Sequence, residues 1–164
     1  MVANESDKGE DTGRPGARKP ELGVLRGGGD ERVVDSPIAR EFAQRALAPI
    51  ISDLRSRSGR LDARKVAAAI GLPMPQFARC IEVSEESLQL SPPPPGLEEL
   101  LEPFAMVIGI VRDVYGGDSK RVKLWLRTPR PELDGQAPIE ALCVPFGIQR
   151  VTTFVVGAWL RNAD

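Results

Sequence analysis

The sequence predicts an all-α fold, and two observations carry that expectation. Apolar residues recur at intervals of three and four in almost every segment after residue 36. Helix caps and stops bracket those segments, with Asp62 and Asp118 at starts and Gly71 and Gly116–Gly117 at ends. The expected organisation is an N-terminal helix-turn-helix-like bundle followed by a C-terminal helical domain.

The elements follow in order. Residues 1–33 are rich in Gly, Pro and charge and bury too little apolar area to offset chain entropy, so they read as a disordered tail. The short Leu22–Leu25 run, LGVL, is a candidate docking segment within it. Residues 34–92 form the first domain. Ser36 suits a cap and Pro37 a first turn, and Ile38, Phe42, Ala46, Ile50 or Ile51, and Leu54 keep helical spacing. Pro49 kinks or divides that helix. Leu61, Val66, Ala69 and Ile70 make the next apolar side, and Phe77, Ala78 and Ile81 a short face after Pro75. A further short helix is expected to begin at Ser84, with Glu85 and Glu86 at its positive end.

The Ser91–Gly96 proline run marks a boundary, and residues 96–164 form the second domain. Leu97, Leu100, Leu101, Phe104, Val107, Ile108, Val111, Val114 and Tyr115 trace a long amphipathic helix, with Pro103 in its first turns or bending it. Val122, Trp125 and Leu126 share the next helical face. Ile148, Val151, Phe154, Val155, Ala158 and Trp159 space a last helix, although its Val and Thr content leaves a strand open.

Composition narrows the function. The chain has 164 residues, 41 % hydrophobic and 27 % charged, with a net charge of −1. No global basic excess points to nucleic acid, so any such site must be a local patch. Histidine is absent, which removes Ser-His-Asp and Cys-His sites and the commonest metal ligand. The acid pairs Glu85–Glu86 and Glu98–Glu99 read as solvated helix surface. No enzyme, cofactor or metal site is expected. Cys80 and Cys143 lie far apart, outside any CxxC pair, and read as free, buried thiols in a reducing cytosol. With no signal peptide and no apolar run of membrane-spanning length, the expected location is the cytoplasm and no membrane association is expected.

Residues 72–90 have a helix-turn-helix layout, in which the second helix would read the major groove. The candidate DNA contacts are Arg79, Ser84 and Ser87. Glu85 and Glu86 in that turn oppose phosphate binding, so packing or dimerisation competes with operator recognition. The Arg55–Arg60 run RSRSGR, with Arg64 and Lys65, is either a backbone-contacting patch or a solvated loop.

The stretch WLRTPRPELDGQAPIEAL, Trp125–Leu142, departs from helical patterning. Pro129 and Pro131 fix φ and remove two donors, so the helix stops. Asp134–Gly135 supplies a turn with φ > 0, and Pro138 restarts a helix. Glu140 stands where a capping box places its acid, but Ala137 at the cap has no side-chain acceptor. The segment is a rigid elbow without a nucleophile–base pair.

This segment resembles the signature of Xre/ParS/MbcA-type antitoxins, W-L-x-T-P-N-P-x-L-x-G-x-x-P-x-E-x-L. Trp125, Leu126, Thr128, Pro129, Pro131, Leu133, Gly135, Pro138, Glu140 and Leu142 stand at its positions. The resemblance runs from about Asp62 onward and is weaker over the helix-turn-helix part. Arg130 replaces the usual Asn, losing any hydrogen bonding by that residue, and Ala137 replaces the usual Thr or Ser.

The resemblance implies a type II antitoxin whose Xre-like part precedes a toxin-binding domain. It implies a RES-domain toxin as partner, an NAD-degrading enzyme acting by hydrolysis or phosphorolysis, whose active-site entrance the antitoxin blocks. The signature residues would shape the scaffold, with Trp125 and Leu126 in the core. Trp159, Arg161, Asn162, Ala163 and Asp164 would contact the toxin, with a core role for Trp159 as the alternative. Homodimerisation and DNA-binding autoregulation remain open.

Overall fold

The computed structural model describes residues 37–162. Its seven α-helices are α1 (Pro37–Leu47), α2 (Ala63–Ile70), α3 (Met74–Cys80), α4 (Leu97–Val114), α5 (Ser119–Arg127), α6 (Pro138–Ala141) and α7 (Gly147–Arg161). Single 3₁₀ turns occupy Ser52–Leu54, Ser87–Gln89 and Pro131–Leu133. Among the described residues there is no strand, only an isolated antiparallel bridge between Arg55 and Leu61. The tail expected over residues 1–33, Ser36, Ala163 and Asp164 lie outside the described residues.

Local chemistry explains most boundaries. Helix α1 ends at Leu47, two residues before Pro49, and the chain turns into the first 3₁₀ segment. The Asp62 carboxylate accepts from the backbone N–H groups of Arg64 and Lys65 at 2.9 and 3.3 Å and opens α2. Gly71 closes it at φ +88°, a left-handed conformation that glycine adopts without a Cβ penalty. Asp118 caps α5 in the same way, accepting from Lys120 and Arg121 at 3.0 and 3.3 Å.

Helix α4 is the centre of the fold. Phe104 through Val111 are all buried, so this helix is apolar nearly all round rather than along one stripe. It packs against α1, α2, α5 and α7. From α3, Phe77 meets Phe104 edge-on with ring centroids 5.4 Å apart. One hydrophobic cluster runs from Ala43 to Ala158 and contains residues from before and after the proline run. Gly109 sits where α1 crosses α4, since a Cβ there would lie 3.0 Å from Ile51 Cγ2 and 3.3 Å from Leu47 Cβ. Pro103 lies within α4 and removes one backbone donor without ending the helix.

Four expectations are corrected. No α-helix begins at Ser84; that stretch holds only the Ser87–Gln89 turn, and Ser84 Oγ accepts from Ser87 N at 3.2 Å. The short neighbouring helices that do pack together are α2 and α3, joined through Gly71. The cysteines are not free: Cys80 at the end of α3 and Cys143 after α6 form a disulfide, with Cα atoms 4.6 Å apart. Sequence separation hid this, because chain folding alone brings positions 63 residues apart into bonding range. Glu98 is not a solvated acid. Half-buried, it accepts from Leu61 N at 3.0 Å and pairs with Arg55 at 3.2 Å, holding the 55–61 loop against the start of α4. Lastly, Ile38 and Phe42 continue the α1 apolar spacing yet are exposed, and Ala43 and Leu47 carry its burial.

Candidate functional site

The proline elbow is built on α5. Val122, Trp125 and Leu126 face the core, and Trp125 is 1 % exposed. The helix ends at Arg127, and Thr128 folds back, its hydroxyl donating to Leu124 O at 2.7 Å. Pro129 and Pro131 are exposed, and Pro131 opens the 3₁₀ turn. Two backbone bonds close the loop: Arg130 N donates to Gln136 O at 3.0 Å, and Gly135 N to Arg130 O at 2.9 Å. Asp134 and Gly135 take φ of +56° and +77°, so the Asp-Gly pair performs a left-handed turn that bulkier residues resist.

Arg130 has a place that its side-chain type makes plain. Its guanidinium carbon lies 5.5 Å from the Trp125 ring centroid, a cation–π contact. The half-buried arginine therefore covers the indole. Trp125 Nε1 and Arg130 Nε are buried without a hydrogen-bond partner among the described residues.

Pro138 is buried at the first position of α6, and Glu140 Oε2 accepts from Ala137 N at 3.0 Å. This is half a capping box; Ala137 contributes no acceptor of its own. Arg150 of α7 donates to Asp134 Oδ2 at 2.6 Å, fastening the elbow to the last helix.

The end of α7 lies elsewhere. Trp159 Nε1 donates to Asp113 Oδ2 at 2.9 Å, and its ring lies 6.0 Å from that of Phe42. Trp159 is thus partly buried against the core. Arg161 is exposed, and the exposed Asn162 donates from Nδ2 to Ala158 O at 2.7 Å. The structure brings Trp159 to α1 and α4, whereas the elbow joins α5, α6 and the start of α7.

The DNA-contact candidates fall on separate elements. Arg79 is exposed on α3 and donates to Pro75 O at 3.3 Å. Ser84 and Ser87 lie in the following turn and bond to each other through their hydroxyls at 2.6 Å. Sequence reasoning missed the loop between α6 and α7, where Val144 and Phe146 are exposed. Its one legible signal was Pro145 just before a large apolar residue.

Among the described residues no three His, Cys, Asp or Glu side chains cluster as metal ligands, and no helix is long and apolar enough to cross a membrane. Residues 111–156 match the family model of the antitoxin Xre/MbcA/ParS C-terminal toxin-binding domain. The match begins near the end of α4, spans the whole elbow and covers most of α7. It supports an antitoxin role and a toxin as partner. No curated protein and no solved structure matches the chain.

Proposed function

We propose that this chain is the antitoxin of a type II toxin–antitoxin system and neutralises a RES-domain, NAD-degrading toxin by covering its active-site entrance. The observation that carries this reading is the match over residues 111–156 to a toxin-binding domain, centred on the Trp125–Leu142 elbow. The antitoxin contributes no chemistry and works by steric block in the cytoplasm, where the toxin meets NAD.

In this reading the signature residues set the scaffold, and the end of α7 reaches the toxin. Trp159 anchors that end on Asp113 and Phe42; the proposed toxin contacts are Trp159, Arg161 and Asn162, together with Ala163 and Asp164, which lie outside the described residues. Arginine is enriched at interface centres for its planar, multidentate donors. In this reading residues 34–92 are the Xre-like domain and residues 96–164 the toxin-binding domain, whose α4 packs against α1 and α2 of the first.

The test is co-expression with the protein of the neighbouring open reading frame, which this reading expects to be a RES-domain toxin. That protein alone should arrest growth and deplete NAD; the pair should not. Deleting residues 161–164 should restore toxicity. A neighbour that is harmless alone, or toxic with or without this chain, would sink the reading.

DNA-binding autoregulation is the second reading, and one observation favours it. Arg57, Arg60 and Arg64 line one groove of about 530 Å³. None of the three pairs with a carboxylate among the described residues. Binding to its own promoter fragment should weaken steeply as salt rises. No shift at low salt would dismiss it.

A further inference from the structure

We infer that the turn Val144–Gly147 is a further toxin contact, with Phe146 as an aromatic anchor that enters an apolar pocket on the toxin. The inference rests on the antitoxin reading above and extends it to the opposite end of α7.

Phe146 breaks two local rules at once. It is 80 % exposed, the most exposed of the large hydrophobic side chains among the described residues. It also holds φ +59° and ψ +6°, a left-handed conformation that costs an aromatic residue backbone energy. Gly147 N donates to Val144 O at 2.9 Å, closing a four-residue turn with Pro145 second and Phe146 third. Proline second and positive φ third is the form of a type II turn, whose third place ordinarily takes Gly or Asn. A phenylalanine there strains the backbone and covers no core. Neither cost is offset within the described fold.

The turn is also held rigidly. On one side Cys143 is bonded to Cys80 of α3. On the other, a Cβ on Gly147 would run into the carbonyl oxygen of Ala141, so the backbone packs as closely as glycine allows. Val144, 36 % exposed, stands beside the ring and widens the apolar surface. An exposed aromatic on a clamped turn loses little conformational freedom when it binds, which is how preorganised anchors gain affinity. The partner is the toxin because the turn lies inside the matched toxin-binding segment, residues 111–156.

The variant Phe146→Gly separates binding from folding. Glycine suits φ +59°, so the thermal midpoint should stay level or rise while the anchor is removed. The probe is the purified protein of the neighbouring open reading frame, titrated against the full chain, with NAD consumption as a second readout. The expected result is a dissociation constant weaker by about tenfold or more, with inhibition of NAD loss shifted to match. Phe146→Leu, which keeps an apolar side chain, should recover part of the affinity. If wild type binds and Phe146→Gly binds equally well, this inference is overturned while the antitoxin reading stands. If wild type itself does not bind, both fall.

Discussion

Trp159 Nε1 donates to Asp113 Oδ2 at 2.9 Å, and this bond pins the end of α7 to the end of α4. The two residues are 46 positions apart. The same indole rests on Phe42 of α1, so three helices meet at one side chain. Trp159→Phe keeps the ring packing and removes the donor. It should cost about 1 kcal/mol in urea unfolding, the net worth of one hydrogen bond. Trp159→Ala removes the packing too and should cost clearly more. Equal losses for the two variants would mean the bond carries all of the effect and the ring none.

The disulfide predicts a redox-dependent stability. Joining Cys80 to Cys143 closes a chain segment of 63 residues. Chain-entropy reasoning puts the stabilisation at about 4 kcal/mol, near the upper end of what native disulfides give. Adding dithiothreitol should lower the urea midpoint, and Cys143→Ser should lower it equally and become insensitive to the reductant. An unchanged midpoint on reduction would refute the crosslink's role.

Two glycines in helices should respond differently to alanine. At Gly147 the new Cβ meets the backbone oxygen of Ala141, which has no room to retreat. Gly147→Ala should therefore cost about 3 kcal/mol or more and abolish soluble expression if the chain is marginal. At Gly109 the neighbours are the side-chain ends Ile51 Cγ2 at 3.0 Å and Leu47 Cδ1 at 3.3 Å, which can yield, and Leu47 Cβ at 3.3 Å, which moves only with α1. The gain of up to about 1 kcal/mol in helix propensity opposes the crowding there, leaving a small net effect. Thermal unfolding of both variants checks the order.

Glu98 should matter more than its surface address suggests. Glu98→Ala leaves Leu61 N, in a residue only 4 % exposed, without its acceptor, and removes the partner of Arg55. Leaving a buried donor unpaired costs roughly 1–3 kcal/mol, whereas the half-exposed ion pair adds little. Glu99→Ala, one residue on and exposed, should fall within about 0.5 kcal/mol of wild type. Hydrogen exchange at the Leu61 amide should rise in the first variant and stay unchanged in the second.

The cap of α6 can be improved. Ala137 has extended backbone angles, φ −70° and ψ +146°, and the chain places Glu140 three residues on. Ala137→Ser adds the missing acceptor and should stabilise by about 1 kcal/mol in thermal unfolding. A loss would mean that the hydroxyl, at a position only 5 % exposed, finds no partner.

The sequence by itself determined the features that depend on near neighbours. Helical spacing located α2, α4, α5 and α7, and Asp62, Gly71 and Asp118 mark their ends because a cap bond spans two or three residues. The elbow at Trp125–Leu142 was legible for the same reason: proline, Asp-Gly and Glu140 act on adjacent backbone. Only the tertiary structure decided the rest. It joined Cys80 to Cys143, turned Glu98 inward to Leu61, set Arg130 over Trp125, brought Trp159 to Asp113 and left Phe146 in solvent. The residue before a helix start carries no sign of whether another element will cover it. The helix expected at Ser84 failed because four residues of favourable end chemistry do not outweigh the cost of nucleating a helix that would bury only Leu88. Local rules choose the elements, and contacts between residues far apart in the chain choose which of their side chains are buried, paired or offered to a partner.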